Sequence, residues 1–297
     1  MIESVAITSR RNLEKQRKTF EKVLRYLTKK GKKVYLEDRV GKMLGLRKYD
    51  KFVPGKTSVD LILVMGGDGT ILRVLSKHKD AGAKYFGINM GHLGFLSEIP
   101  PIQISKTLDK LFAGKFTVDS RMMLHVELHR GRKIMGTFHA LNEAAISQAT
   151  ISRLIELRTK VNGVKLANFS ADGLLVSTPT GSTAYSLSAG GPIVHPSLRA
   201  MILTPVCPHS FSQKPIVIPD SKKIEITVDS DYEAMNLTMD GQQNVKVKMG
   251  DVIKIRKGDS IDFLRLPTEH YFMNLREKLG WGERVEKHIK TINPHDL

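Results

Sequence analysis

One segment, Val59 to Thr70, constrains this chain more than any other, because it joins a buried type of strand to a helix through three glycines. Leu61 to Met65 is an uninterrupted apolar run that predicts a strand, and Thr70 to Leu75 predicts the start of a helix. The first N–H groups of a helix are unpaired and lie at the positive end of its dipole. The turn between this strand and this helix therefore favours an anion. Glycine lets that anion approach the backbone closely. The predicted phosphate-binding residues are Gly66, Gly67, Gly69 and Thr70.

Asp68, in the middle of this turn, is the unusual residue. A carboxylate beside a phosphate site is repulsive unless it holds a metal or takes a proton, so Asp68 indicates chemistry on a phosphate. The turn is neither a Walker A loop nor a Gly-x-Gly-x-x-Gly dinucleotide fingerprint. The alternative is a tight βα turn in which Asp68 only caps the helix, since Asp is a good cap residue. The motif alone leaves both interpretations open.

The first part of the chain alternates strands with helices. This alternation over residues 1–120 predicts an α/β domain with a Rossmann-like open parallel sheet, whose ligands would lie at the carboxyl ends of the strands. A last helix, Tyr271 to Leu279, carries Phe272, Leu275 and Leu279 on one side. It is predicted to pack back on the first domain, so that residues 266–297 complete it.

Strands predominate over residues 121–265, which are predicted to form a second, β-sandwich-like domain. Asn162-Gly163 and Asp240-Gly241 are type I′ hairpin signals within it. The predicted fold class is therefore α/β plus all-β.

Charge and composition limit the partners. The net charge is +17, from 47 basic and 30 acidic residues, which admits a nucleic-acid binder. Aromatic residues make up only 6% and do not alternate with the basic ones, so we favour anionic small-molecule substrates and no nucleic acid. The single cysteine, Cys207, excludes a disulfide framework, and the histidines lack paired metal-ligand spacing, so no metal-ligating residue is predicted. Without a signal peptide or a membrane-spanning run, the chain is expected to be soluble and cytoplasmic, with no membrane partner.

A second dense segment runs from Ser170 to Pro196. Gly173 to Thr178 predicts a buried strand, and a hydroxyl- and glycine-rich turn then leads into a short helix starting at Thr183. Its N–H groups and hydroxyls would face a pocket, although an ordinary Ser/Thr-rich loop with a capped helix is the alternative. Asn142-Glu143 is an amide–carboxylate pair suited to ribose hydroxyls, and a solvated turn is its alternative.

These segments together resemble one family. Gly66 to Thr70, Gly87 to Phe95, Asn142-Glu143 and Ser170 to Pro196 occur in this order in NAD kinases. Diacylglycerol and sphingosine kinases share the first motif but not the last. A lipid kinase would also need an amphipathic or membrane-facing element that the sequence does not show, and a nucleic-acid binder would leave both glycine-rich segments unexplained.

The resemblance implies phosphoryl transfer from ATP, or from polyphosphate in some members, to the 2′-hydroxyl of the adenosine ribose of NAD, giving NADP. It also implies a divalent cation, Mg²⁺ by expectation, and a homodimer or homotetramer. Asp68 would be the catalytic residue, accepting the proton of the 2′-hydroxyl, with Arg73 able to neutralise phosphate. Asp172 would contact the nicotinamide half. Ser170 falls where some members carry Arg, which leaves the choice between NAD and NADH open. The NAD-binding residues implied by position are Asp68, Gly69, Arg73, Asn142, Glu143, Arg153, Ser170, Asp172, Thr183, Ala184, Tyr185, Ser186, Leu187, Ser188 and Gln242.

Overall fold

The structure is a computed structural model that describes residues 2–10, 16–77, 82–91, 94–97, 103–148, 154–230, 235–266 and 270–282. Its first region has five strands in the order β3-β2-β1-β4-β5, all paired in parallel. The elements are β1 (Ser4–Ser9), α1 (Arg17–Lys29), β2 (Lys33–Leu36), α2 (Asp38–Leu44), β3 (Asp50–Lys51), β4 (Leu61–Met65), α3 (Asp68–Leu75), β5 (Lys84–Ile88) and α4 (Ile104–Phe112).

Helices cover both faces of this parallel sheet. Leu61, Leu63 and Met65 of β4 belong to one apolar cluster, which includes residues of α1 and α4. Ile62 and Val64 belong to another, which includes residues of α3. Successive side chains of a strand point to opposite faces, so a strand buried on both sides must be apolar throughout, as β4 is.

The second region is built of antiparallel strands. Its elements are β6 (Thr117–Arg130), β7 (Lys133–Ala140), β8 (Glu143–Gln148), β9 (Ile155–Val161), β10 (Val164–Ala171), β11 (Gly173–Ser177), a 3₁₀ turn (Thr180–Thr183), α5 (Tyr185–Ser188), β12 (Ala200–Val206), β13 (Ile216–Pro219), β14 (Ile224–Val228), β15 (Met235–Met239), β16 (Gln243–Val247) and β17 (Val252–Arg265). A six-stranded sheet has the order β13-β12-β11-β8-β15-β16. One apolar core joins it to β6, β9, β14 and β17, which forms the predicted sandwich.

The strand β17 belongs to both regions. It pairs antiparallel with β14 and with β6, and its last part pairs parallel with β5 at Phe263 and Tyr85. The parallel sheet and one sheet of the sandwich are therefore a single sheet of eleven strands. The predicted domain limit at residue 265 falls at the end of this shared strand.

The final helix, α6 (His270–Leu279), returns to the first region, as predicted. The Asn274 side-chain amide donates to the Gly94 carbonyl oxygen at 3.1 Å, and Leu275 is buried. Of the three apolar residues predicted to lie on one side of this helix, only Leu275 is buried, whereas Phe272 and Leu279 are exposed. Both hairpin predictions are confirmed, since each Asn-Gly or Asp-Gly pair has positive φ at both residues.

Candidate functional site

Asp68 opens α3, directly after the buried strand β4 and its glycine pair. Its carboxylate does not cap its own helix; the cap residue is Gly67, without a side-chain hydrogen bond. The carboxylate instead accepts backbone N–H groups of the neighbouring segment, from Phe95 at 2.8 Å, Leu96 at 3.1 Å and Ser97 at 3.3 Å. The Lys278 ammonium of α6 lies 3.5 Å away. The interpretation of Asp68 as a simple helix cap is therefore wrong.

The glycines around Asp68 have two different reasons to be glycine. A Cβ on Gly94 would overlap the Asp68 carboxylate, and a Cβ on Gly66 would overlap the Thr70 side chain. Gly67 and Gly69 face open space, and neither has a left-handed backbone. Nothing in the described chain requires glycine at these two positions, which fits the close approach of a group from outside, such as a phosphate.

Arg73 lies on α3 but is engaged by the protein. Its guanidinium donates to both carboxylate oxygens of Glu37, at 3.1 and 3.2 Å, and to the Ser9 carbonyl oxygen at 2.7 Å. Burial alone would raise the pKa of Glu37, but hydrogen bonds from Thr8 and Arg73 and the charges of Arg73 and Arg39 outweigh it and lower that pKa. The charge of Arg73 is thus largely balanced before any phosphate binds, and its part in phosphate binding stays a prediction.

Asn142 and Glu143 lie where β8 begins. The Asp240 carboxylate accepts the backbone N–H groups of Leu141, Asn142 and Glu143, at 2.8, 2.7 and 3.0 Å. From the opposite edge, the Thr178 N–H donates to the Asn142 carbonyl oxygen at 2.8 Å. The dipeptide is thus fixed on both sides and is not a solvated turn.

The Glu143 side chain is buried, and its Oε2 has no hydrogen-bond partner among the described residues. Burial and then the charge of Asp240 raise the pKa of Glu143 to about 8, although the Tyr185 backbone N–H partly opposes this. Burial also raises the pKa of Asp240 to about 6, against its three backbone hydrogen bonds. A buried carboxyl oxygen without a partner is costly, so a ligand hydroxyl that bonds to it would be favoured.

The segment from Thr178 to Ser188 is locked against this dipeptide. A Cβ on Gly181 would overlap the Asn142 backbone, and the Ser182 hydroxyl donates to the Pro179 carbonyl oxygen at 2.7 Å and accepts the Val194 N–H at 3.0 Å. Ser186 is buried and bonds to Thr204 at 2.9 Å, whereas Tyr185 is 46% exposed. The hydroxyls inside the segment therefore hold its shape, and Tyr185 is left open to a ligand. Thr183, Ala184 and Leu187 are half-buried, and Ser188 is exposed.

The remaining predicted residues lie around this segment. Asp172 accepts the Gln148 side-chain amide at 3.2 Å, just before β11, and Ser170 lies on β10. Gln242 is exposed in the turn between β15 and β16. Its neighbour Gln243 donates to the Ser76 carbonyl oxygen at the end of α3, at 3.1 Å, which links this turn to the first region. Arg153 lies outside the described residues.

Two cavities bear on the position of the site. One of about 330 Å³ is lined by Phe95, Arg121, Tyr271 and Asn274, among others. Two residues of its lining bond to the candidate site, since the Phe95 N–H donates to Asp68 and Arg121 donates to Thr180 at 3.3 Å. A larger one, of about 410 Å³, lies near His125 and Arg256, and neither cavity is lined by a predicted site residue. Cavity size therefore does not locate the site.

Within the described ranges, no group of three or more His, Cys, Asp or Glu residues could hold a metal ion. In the same part of the chain, no helix is both long and apolar enough to cross a membrane.

Comparison with known proteins decides the family. Residues 5–116 match the model of the ATP-NAD kinase N-terminal domain, and residues 141–264 match that of the C-terminal domain. The chain belongs to the ATP-NAD kinase family. Members of this family transfer a phosphoryl group to NAD and give NADP. The NAD kinase of Syntrophotalea carbinolica is 39% identical over 266 residues, 88% of this chain and 93% of its own. That of Moorella thermoacetica is 38% identical over 289 residues, 95% of this chain and 93% of its own.

Solved structures of NAD kinases have the same fold. Yeast NADH kinase complexed with NADH has a TM-score of 0.89 and 26% identity, covering 95% of this chain and 89% of its own. The Archaeoglobus fulgidus NAD kinase in complex with ATP has a TM-score of 0.71 and 28% identity, covering 93% of this chain and 98% of its own. The kinase fold and family predicted from the sequence are confirmed.

Three contributions to the candidate site were not predicted from the sequence. Asp240 looked like a turn residue only, because Asp-Gly is a hairpin signal whatever the side chain does. The N–H groups of residues 95–97 carry no side-chain signal at all. Lys278 lies 210 residues from Asp68 in the chain, and only tertiary structure pairs them.

Proposed function

We propose that this kinase transfers the γ-phosphoryl group of ATP to the 2′-hydroxyl of the adenosine ribose of NAD, with Asp68 as the general base. The observation that carries this proposal is the fixed Asp68 carboxylate at the N-terminus of α3, between two glycines that face open space. Phosphoryl transfer needs positioning and charge stabilisation more than covalent help. A base, a helix N-terminus and a nearby cation supply what such a reaction requires.

The donor phosphates would lie against the open backbone of Gly67 and Gly69, where the unpaired N–H groups of α3 stabilise negative charge. A bound divalent cation, Mg²⁺ by expectation, would neutralise charge on the donor phosphates. The fit is reasonable, because Mg²⁺ is usually bound by one or two carboxylates plus phosphates and water rather than by a protein cage. The described residues contain no cluster of acidic residues for such an ion, so the phosphates and water would supply most of its ligands.

On the acceptor side, we propose that Asn142 and Glu143 hold ribose hydroxyls and the adenine. The unpartnered Oε2 of Glu143 supports this, since a ribose hydroxyl would satisfy it. The exposed ring of Tyr185 is suited to stacking on a base, and Asp172 would contact the nicotinamide half. The other assignments, to Gly69, Arg73, Arg153, Ser170, Thr183, Ala184, Ser186, Leu187, Ser188 and Gln242, rest on position in the family motifs.

Three further properties belong to the same proposal. The kinase would act in the cytoplasm, as a homodimer or homotetramer. Polyphosphate would be the alternative phosphate donor. The single cysteine is consistent with a reducing compartment.

The test is NADP formation by the purified protein with NAD, ATP and Mg²⁺, detected by an NADP-specific dehydrogenase. Parallel reactions would replace NAD by NADH and ATP by polyphosphate. Turnover with NAD and ATP is the expected result. A folded protein that phosphorylates neither dinucleotide with either donor would overturn the proposal and direct the search to lipid acceptors.

A further inference from the structure

We propose that Asp240 is a positioning residue for NAD recognition, whose carboxylate holds the backbone of residues 141–143 so that Asn142 and Glu143 face the dinucleotide. The inference rests on the proposed role of these two residues. It adds a residue that lies about a hundred positions away in the sequence and that no motif assigned to the site.

The need for such a residue arises from the sheet. β8 pairs with β15 along its length, and the last pair of this ladder is Ala144 with Met239. Leu141 and Asn142 lie beyond the ladder, and Leu141 and Glu143 are buried. Buried backbone N–H groups without acceptors are costly, so this segment needs an acceptor that the partner strand no longer supplies.

Asp240 supplies it. It is the first residue after β15, and its side chain reaches back along the same edge to accept all three N–H groups, from Leu141, Asn142 and Glu143. Its own N–H donates to the Glu143 carbonyl oxygen at 3.0 Å. The Asp240 side chain thus continues the ladder where the strand has turned away.

The backbone conformation of Asp240 allows this reach. Its φ is +51° and that of Gly241 is +62°, the pattern of a type I′ turn. Asp and Asn tolerate this left-handed conformation better than most residues. The residue also remains only 7% exposed, so its hydrogen bonds are shielded from water.

The opposite edge of the segment is held as well. The Thr178 hydroxyl donates to the Leu141 carbonyl oxygen at 2.5 Å, and the Thr178 N–H donates to Asn142. Asp240 and Thr178 together clamp the backbone from both sides. The directions of the Asn142 and Glu143 side chains are then set before the ligand arrives, which lowers the ordering cost of binding.

The test is Asp240→Asn, which keeps the left-handed preference and gives an Asn-Gly turn, so the hairpin should survive. The amide loses the negative charge, and its NH₂ group would face a backbone N–H. We expect the KM for NAD and its dissociation constant by calorimetry to rise about tenfold, equivalent to ~1.4 kcal/mol. The kcat and the KM for ATP should stay within about twofold, because this residue contacts the segment that holds the acceptor.

The matched control is Asp251→Asn, which also alters a buried aspartate in the turn before a strand. Asp251 is fully buried and accepts from Arg130 and from the Lys248 N–H, away from residues 141–143. It should lower stability without changing the KM for NAD. Asp240→Ser is the second variant, in case the Asn variant does not fold.

The outcomes distinguish a failure of the positioning role from a failure of the proposed function. Unchanged NAD affinity in a folded Asp240 variant overturns the positioning role. If the variant loses kcat and thermal stability while the KM for NAD is unchanged, the positioning role is also overturned, since Asp240 would then be a purely structural residue. Asp240→Glu, which restores the charge on a longer side chain, should recover part of the NAD affinity. If the wild type binds NAD but does not turn over, the proposed function fails while calorimetry still tests Asp240.

Discussion

Asp68 and Glu143 are both carboxylates beside a buried strand, yet the fold surrounds them in opposite ways. Asp68 accepts three backbone N–H groups and has Lys278 nearby, and its side chain is 24% exposed. Glu143 is buried, has an oxygen without a partner among the described residues, and has the negative Asp240 beside it. The protein itself satisfies the hydrogen bonds of the Asp68 carboxylate, whereas it leaves one oxygen of Glu143 without a partner among the described residues.

This difference separates chemistry from recognition. A catalytic group must be in position before the reaction, and hydrogen bonds from rigid backbone achieve that. A recognition group gains most when the ligand itself supplies the missing partner, because an unsatisfied buried oxygen is costly in the free protein. The comparison therefore predicts loss of turnover at Asp68 and loss of affinity or a change in stability at Glu143.

The largest effect is expected for Asp68→Asn. Removing a positioned base typically costs ~10²–10⁴-fold in rate, and kcat should fall by that order. The amide is nearly isosteric, so the fold should persist, with some loss of stability because its NH₂ group would face one of the backbone N–H groups that Asp68 accepts. The dissociation constant for NAD should be close to that of the wild type. Stopped or coupled assays measure the rate, and calorimetry measures binding. Turnover like that of the wild type would remove Asp68 from the catalytic role.

The next effect is expected for Gly94→Ala. Its new Cβ would overlap the Asp68 carboxylate, so the carboxylate must move away from the N–H groups that fix it. We expect kcat to fall about tenfold or more, since small displacements of catalytic groups are expensive. The matched control is Gly91→Ala, whose Cβ meets open space. If both variants keep full kcat, the fixed position of Asp68 is not what the reaction needs.

Glu143→Gln should change how stability depends on pH. The folded-state pKa of Glu143 lies at about 8, above its ordinary value of 4.5, so the folded state holds a proton that the unfolded state has lost. The resulting penalty is absent below about pH 4, grows as the pH rises, and is complete above about pH 8. The variant should therefore be more stable than the wild type at pH 9 and lose this advantage toward pH 5. Urea unfolding of both proteins at pH 9 and pH 5 measures the difference in their free energies of unfolding. The same difference at both pH values would contradict the raised pKa of Glu143.

The smallest effect is expected for Lys278→Ala. Its ammonium lies 3.5 Å from Asp68 and 4.7 Å from the centre of the Phe95 ring, but the side chain is 36% exposed. Partly exposed ion pairs contribute little, so the free energy of unfolding should change by less than ~1 kcal/mol. We expect kcat to fall by less than about tenfold. Arg276→Ala, which removes an exposed cation from the same helix, serves as the control in thermal unfolding and rate measurements.

Local sequence signals predicted local structure well. The strand Leu61–Met65 was predicted with its observed limits, because a strand buried on both faces is an unbroken apolar run. The two hairpins followed from Asn-Gly and Asp-Gly, which fix the turn type. The start of α3 was predicted at Thr70 instead of Asp68, because glycine is a poor helix former and Gly69 therefore does not indicate a helical turn.

Long-range pairing was beyond the sequence. The sequence pattern predicts two separate strands, Val252 to Arg256 and Ile261 to Arg265, whereas β17 spans both. The structure keeps one strand with an irregular register between Lys257 and Ser260. In α6 the polar Asn274 is buried in place of Phe272, since it bonds to a backbone oxygen from a distant segment. Likewise, the family motifs indicated Asp68 and Glu143, but not the residues that hold them.

The shared strand β17 has a consequence for cutting the chain. The two family models divide the protein at its middle, which suggests that each half could be made alone. A fragment ending at residue 116 would leave β5 as an unpaired edge and would remove Phe263 and Leu264 from the two clusters that cover the parallel sheet. Exposed edges of this kind invite aggregation. The two halves therefore depend on each other for a complete core. A fragment of the first region would need to include β17 in order to fold without an exposed edge.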